Sequence, residues 1–222
     1  IPTANRSVYS KSALNDSVRR LPDQTSLNIG SDALPILKIP EPDSEPKACL
    51  LVSTGPGIQV YKEAINNLVH RHSWQVIECN DTGVVNQFEN RITIILNGMR
   101  LGEIASNNKG RAQQIITGEK EFDGSVECDL FHYPYKIDDV SFEKGSLSIP
   151  DFEAGQYAIS LAVAMNYRKI YLAGFVGYDE EPRNNIMEKY FNHLSEATDG
   201  VSLVSITPTR YRNLQCQSIY TL

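Results

Sequence analysis

Gly55-Pro56-Gly57 closes the apolar run Ala48-Cys-Leu-Leu-Val52, and a short apolar run emptying into such a turn is how a buried strand delivers its end to a ligand. Glycine has no Cβ, so the chain can turn sharply there and bring its amides close to a phosphate. From Val60 to Val69 apolar residues recur at helical spacing, so the loop opens a helix whose N-terminal dipole favours an anion. The same residues also serve tight turns for conformational reasons alone, and the motif reads equally as a plain strand-to-helix connection. Neither Gly-x-Gly-x-x-Gly nor a Walker loop is present, which leaves ordinary NAD binding and ATP hydrolysis unsupported.

Polar residues recur where other apolar runs end: Thr54 beside the glycine turn, Asn80 with Asp81, Asn97 with Arg100, and Gly174 followed by Tyr178 and Asp179. An asparagine amide offers two donors and an acceptor, suited to ribose hydroxyls and to the edge of a pyrimidine; singly, each is also an ordinary turn residue. Arg100 carries a planar fork able to meet a phosphate or carboxylate. His132-Tyr133-Pro134-Tyr135-Lys136 gathers an imidazole, two phenols and an amine that could exchange protons with a leaving phosphate, or could form an aromatic loop packed on the core. His193 is a second base at a helical position, and His70 and His72 suit a helix C-terminus. No His/Asp/Glu cluster has metal-ligand spacing, so no metal site is expected. The run Asp179-Glu180-Glu181 suits either a divalent ion beside a diphosphate or a solvated acidic loop.

The elements that must position these residues alternate. Strands are expected over 48 to 53, 74 to 79, 91 to 96, 113 to 117, 125 to 130, 168 to 173 and 201 to 206, with helices over 59 to 71, 101 to 107, 153 to 166 and 182 to 197. That succession predicts an α/β fold, a doubly wound and mostly parallel sheet with helices on both faces, in which ligands bind beyond the carboxyl ends of the strands. Asp151 is placed to cap the third helix. Residues 1 to 47 differ, with Pro2, Pro22, Pro35, Pro40, Pro42 and Pro46 among many Ser, Asn and Asp. They read as an arm or linker of which residues 1 to 40 cross to another surface and stay out of the sheet, leaving 48 to 222 as the domain. An arm of this kind suits a homo-oligomer, and a first residue Ile1 suits a piece of a larger protein.

In a chain of 222 residues, a formal charge of −6 argues against a nucleic-acid partner, which needs a Lys/Arg-rich stripe. No run reaches the roughly 18 to 20 apolar residues of a membrane span, and the chain reads as soluble and cytoplasmic. Cys49, Cys79, Cys128 and Cys216 are scattered, as free thiols are.

The glycine turn, Glu78-Cys-Asn80, Leu96-Asn97, Gly155-Gln-Tyr-Ala158 and Ile170-Tyr-Leu-Ala-Gly-Phe175 together resemble the Rossmann-like bacterial sialyltransferases that use CMP-linked acidic sugars. The resemblance implies that CMP or a CMP-sugar is the ligand and a glycan the acceptor, with Gly55, Pro56, Gly57, Asn80, Asn97 and Gly155 holding the nucleotide. Tyr171-Leu-Ala-Gly-Phe-Val-Gly-Tyr178, Ser205-Ile-Thr-Pro-Thr-Arg-Tyr211 and Ser218-Ile-Tyr220 are similar to the C-terminal region of aldolase-like proteins of surface-polysaccharide or lipopolysaccharide synthesis. That second resemblance implies a fused or docked aldolase partner. Val176 stands where the relatives carry an acidic residue, and the stretch from Asp179 to Ile186 lacks the lid histidine that serves sialyltransferases as base. The base then falls to His132, with Tyr133 and Tyr135, or to His193; otherwise the domain binds a nucleotide sugar without transferring it. A related Gly-Pro loop also occurs in pterin diphosphokinase-like enzymes, which would require Mg²⁺ on Asp81, Asp179 and Glu180.

Overall fold

A computed structural model of the chain describes residues 34, 36–37, 47–85, 91–107, 114–118, 129–133, 135–137, 141–143, 146–149 and 153–222. The first strand, β1 (Lys47–Ser53), is buried from Cys49 through Val52, as a central parallel strand covered on both faces must be. A 3₁₀ turn (Ile58–Tyr61) leads into α1 (Lys62–His72), followed by β2 (Gln75–Cys79), β3 (Arg91–Ile94), α2 (Gly98–Asn107), β4 (Gln114–Thr117) and β5 (Asp129–His132). Three short strands follow, β6 (Tyr135–Ile137), β7 (Ser141–Glu143) and β8 (Ser146–Ile149), then α3 (Ala154–Ala164), β9 (Tyr167–Ala173), α4 (Glu181–Ala197), β10 (Ser202–Ser205) and β11 (Gln215–Cys216).

The main sheet has eight strands in the order β11-β10-β9-β1-β2-β3-β4-β5, every neighbouring pair parallel. The chain winds outward from β1 to β5, then returns to the other side of β1 and winds out again through β9 and β10. The strand order therefore reverses between β1 and β9, which opens a crevice at their carboxyl ends.

Period-two alternation sends side chains of each central strand to both faces. Cys49 and Leu51 join Tyr157 and Leu161 of α3 and Tyr190 and Leu194 of α4 on one face. Leu50 and Val52 join Ile65, Leu68 and Val69 of α1 on the other. Helices thus cover both faces, as the alternation of elements requires. Cys49, Cys79 and Cys216 are free thiols, while Cys128 lies outside the described residues.

Several expectations are corrected. The strand expected over 125 to 130 is Asp129–His132, and α2 begins at Gly98, because Asn97 caps it three residues earlier than the apolar pattern suggests. The separate sheet β6-β8-β7 was not anticipated. The arm does touch the main sheet: Ile36 forms a parallel bridge with His132, and Leu37 N–H donates to the His132 carbonyl at 2.8 Å. An edge strand carries unpaired backbone groups, and β5 takes this short partner; Leu34, two residues before Ile36, is buried. No described helix is long and apolar enough to cross a membrane.

Candidate functional site

A cleft of about 320 Å³ occupies the crevice between β1 and β9. β1 delivers Ser53 to Pro56 into it, β2 delivers Cys79 and Asn80, and β9 delivers Gly174 to Asp179. The first turn of α3, Glu153 to Gly155, forms a further wall. Thr54, Gly55, Pro56, Asn80, Gly155, Gly174 and Tyr178, read from sequence as one set, all line this space. Gly57 lies in an adjoining hollow of about 240 Å³ with Pro56, Ile58, Val176 and Pro208.

The glycines have distinct physical reasons. A Cβ on Gly55 would lie 2.0 Å from the Gly174 carbonyl oxygen, and one on Gly174, at φ +76°, would lie 2.3 Å from the Ser53 carbonyl oxygen. The loops leaving β1 and β9 touch backbone to backbone, and only glycine permits that approach. Gly174 is fixed further by its N–H, which donates to Thr207 Oγ1 at 2.9 Å. At Gly155 a Cβ would meet the Phe175 ring at 3.1 Å, so this glycine lets α3 close on the β9 loop. Gly57 has open space around it but a φ of +78°, a conformational demand only. The helix terminus that lines the cleft belongs to α3, whereas α1 is set back behind the 3₁₀ turn.

Asn80 adopts the left-handed conformation, φ 63°, directly beyond β2, and its N–H donates to the Ile94 carbonyl at 2.8 Å. Residues held in such sparsely populated conformations cluster at functional sites. The turn behind it is organised by a buried ion pair, with Arg91 Nε 2.7 Å from Glu78 Oε2, though off hydrogen-bond alignment. Burial pushes the Glu78 carboxyl up, opposed by the Arg91 charge. The Thr82 hydroxyl donates to Glu78 and accepts from Val84 N–H at 3.1 Å.

Three residues missed by the sequence reading shape the cleft: Glu153 lines it, while Arg183 and Asn184 lie outside the lining and hold Glu153 and Tyr178. The Tyr178 hydroxyl donates to Glu153 Oε2 at 3.0 Å, and Arg183 Nη2 donates to Glu153 Oε1 at 2.7 Å. The Arg183 guanidinium lies 4.2 Å from the Tyr178 ring centroid. Asn184 grips the Tyr178 backbone twice, accepting from its N–H at 2.8 Å and donating to its carbonyl at 2.6 Å. Desolvation, with the adjacent Glu153 charge, pushes the Tyr178 phenol up to about 12, so it stays protonated and donating at neutral pH. The available signal was Glu153 just before Gly155-Gln156, but Asp151, which lies outside the described residues, was read as the cap. The N-cap is Glu153, and its side chain makes no capping hydrogen bond.

The remaining expected residues stand apart. Asn97 Oδ1 accepts from the N–H groups of Met99 and Arg100 at 3.0 and 3.2 Å, capping α2, and both Asn97 and Arg100 are exposed outside the cleft lining. His132 ends β5, four strands from β1, about 19 Å away at the usual strand spacing. Tyr133 is wholly buried, edge-on to Tyr157, whose hydroxyl donates to the Tyr133 carbonyl at 3.0 Å. Tyr135 opens β6, its side chain outside the described set. His193 is exposed on α4. Among the described residues, the charged side chains in the cleft lining are Glu153 and Asp179, the latter bonded to Arg210.

No family model matches the chain, and no curated protein matches its sequence. Among solved structures, the MAf glycosyltransferase from Magnetospirillum magneticum AMB-1 superposes with a TM-score of 0.61 over 86% of this chain, at 11% identity. The likeness is one of fold. It covers 37% of that protein, so this chain corresponds to little more than a third of its length.

Proposed function

We propose that the chain is a glycosyltransferase-like module that binds a CMP-activated sugar in the β1/β9 cleft. The observation that carries this reading is the charge of the cleft, whose lining among the described residues holds two carboxylates and no lysine or arginine, Arg183 standing outside that lining and bonded to Glu153. Sugars activated by a nucleoside diphosphate bring two phosphates, whose charge is ordinarily met by arginine, lysine or a metal ion. CMP-sugars bring one phosphate in place of two, its single charge within the capacity of backbone amides and the N-terminus of α3, and an acidic sugar adds its carboxylate outside the nucleotide. Asn80 and Thr54 supply the directional hydrogen bonds, and Gly155 and Gly174 keep the walls free of side chains. The architecture shared with a glycosyltransferase supports the reading at the level of fold. An acidic sugar, a surface-polysaccharide setting and an aldolase partner have their support in sequence resemblance alone.

Thermal-shift measurements against CMP, CDP, UDP, GDP, ATP and CoA test the reading, since a ligand of the native state raises Tm by linkage. CMP is expected to give the largest shift without added metal. No shift with CMP, or an equal shift with ATP, overturns it.

A further inference from the structure

The geometry points to Glu153 as the general base of sugar transfer, an assignment that rests on the reading of the cleft as a CMP-sugar site. Of its two carboxylates, Asp179 is bonded to Arg210 and its side chain is 92% exposed at the rim, whereas the Glu153 side chain is 24% exposed and faces the lining. Glu153 is the N-cap of α3 in extended conformation, φ −116° and ψ 131°, with no hydrogen bond to the helix amides. Its carboxylate is therefore not consumed by the helix that carries it. Tyr178 holds one oxygen and Arg183 the other. Each carboxylate oxygen has two lone-pair directions, so an acceptor hydroxyl still finds a site on it. The clamp on both oxygens fixes the carboxylate without filling it, the preorganisation that proton transfer requires.

In the step, an acceptor hydroxyl oxygen bonds to the anomeric carbon while its proton passes to Glu153. The bond from that carbon to the CMP phosphate oxygen breaks, and its electron pair leaves on CMP. Atoms and charge balance with no further reagent. Among the described residues, the ionisable groups around Glu153 are Tyr178 and Asp179 from the β9 loop, Arg183 from α4, Tyr211 from the C-terminal segment and Cys79 from β2. Arg183 is the cation among them that bonds the carboxylate, and it holds it oriented.

The test combines turnover of a CMP-sugar as a function of pH with CMP calorimetry, on the wild-type chain and on Glu153→Gln. The expected result is a fall in kcat of about 100-fold or more, loss of the acidic limb of the pH profile, and CMP affinity close to wild type. Unaltered turnover and pH profile in the variant overturn the base while leaving the CMP site standing. A wild-type chain that binds CMP but turns over no CMP-sugar also overturns it, and one that binds no CMP overturns the underlying reading as well. Tyr178→Phe keeps the carboxylate but frees one of its oxygens. It should lower kcat by a smaller factor than Glu153→Gln, and no effect on kcat removes the positioning argument even where Glu153→Gln fails to fold.

Discussion

Replacing Gly55 by alanine separates two roles that a glycine turn can have, cradling a ligand or letting two loops meet. The added Cβ would stand 2.0 Å from the Gly174 carbonyl oxygen and 2.9 Å from Val176 Cγ2, where ordinary contact begins at 3.4 Å. Both loops are backbone at the nearest point, so neither can yield by turning a rotamer, and the carboxyl ends of β1 and β9 must part. Overpacking costs about 1–3 kcal/mol, and a backbone obstacle puts this site near the top of that range. About 3 kcal/mol corresponds to a fall in Tm of roughly 6–12 °C for a chain of this size. Gly57→Ala provides the contrast, since it meets nothing within 4 Å and pays only for its φ of +78°. That penalty is about 1–2 kcal/mol, or roughly 2–8 °C. Melting without any nucleotide, followed by CMP calorimetry at a temperature where both variants are folded, gives the readout. Gly55→Ala should melt well below Gly57→Ala and also lose CMP affinity, because the cleft walls have moved. If Gly55→Ala melts like wild type and loses only CMP affinity, the glycine serves the ligand directly and the loop-contact argument is refuted.

The buried pair on β2 and β3 predicts a different pattern. Arg91→Met leaves the Glu78 carboxylate unpaired in the core and should cost about 3–5 kcal/mol, while the double variant Glu78→Gln, Arg91→Met should recover much of the loss in a urea titration. Stability should also fall in alkali. Burial, with the adjacent Glu153 charge, pushes the Tyr178 phenol up to about 12 and raises Tyr190 and Tyr211 as well, whereas unfolded tyrosines ionise near 10. The unfolded state therefore releases protons first, stability is full below about pH 10, and it declines as pH rises toward 12. Urea midpoints measured from pH 9 to 11 check this, and a flat profile contradicts it.

The sheet was legible where its strands are short apolar runs ending in Gly, Asn or Ser, and Leu50 to Val52 and Leu172 to Ala173 are buried on both faces as such runs imply; β5 ends in His132, and the two-residue β11, which was not expected, carries no such run. Strand order could not be read from period two alone, yet the expected ligand loops after β1, β2 and β9 do converge. Convergence failed for Asn97 and His132 because both follow strands on one outer arm of the sheet, two and four positions from β1. Sequence pattern marks the end of a strand and carries no distance across the sheet. Glu153, Arg183 and Asn184 were missed for a related reason. Their roles depend on α3 and α4 presenting their first turns to the same loop, a tertiary relation that no local spacing records. The β6-β8-β7 sheet escaped because its strands are three or four residues long, below the length at which alternation stands out.

The most direct test of the central claim is calorimetric titration with CMP, CDP and ATP in EDTA, on the wild-type chain and on Asn80→Ala. A cleft whose described lining holds two carboxylates and no basic side chain predicts that CMP binds without metal and more tightly than CDP or ATP. Removing the Asn80 amide should weaken CMP by about 5- to 15-fold, the worth of one hydrogen bond of about 1–1.5 kcal/mol. Tighter binding of CDP or ATP than of CMP, or CMP affinity indifferent to Asn80, would contradict the account.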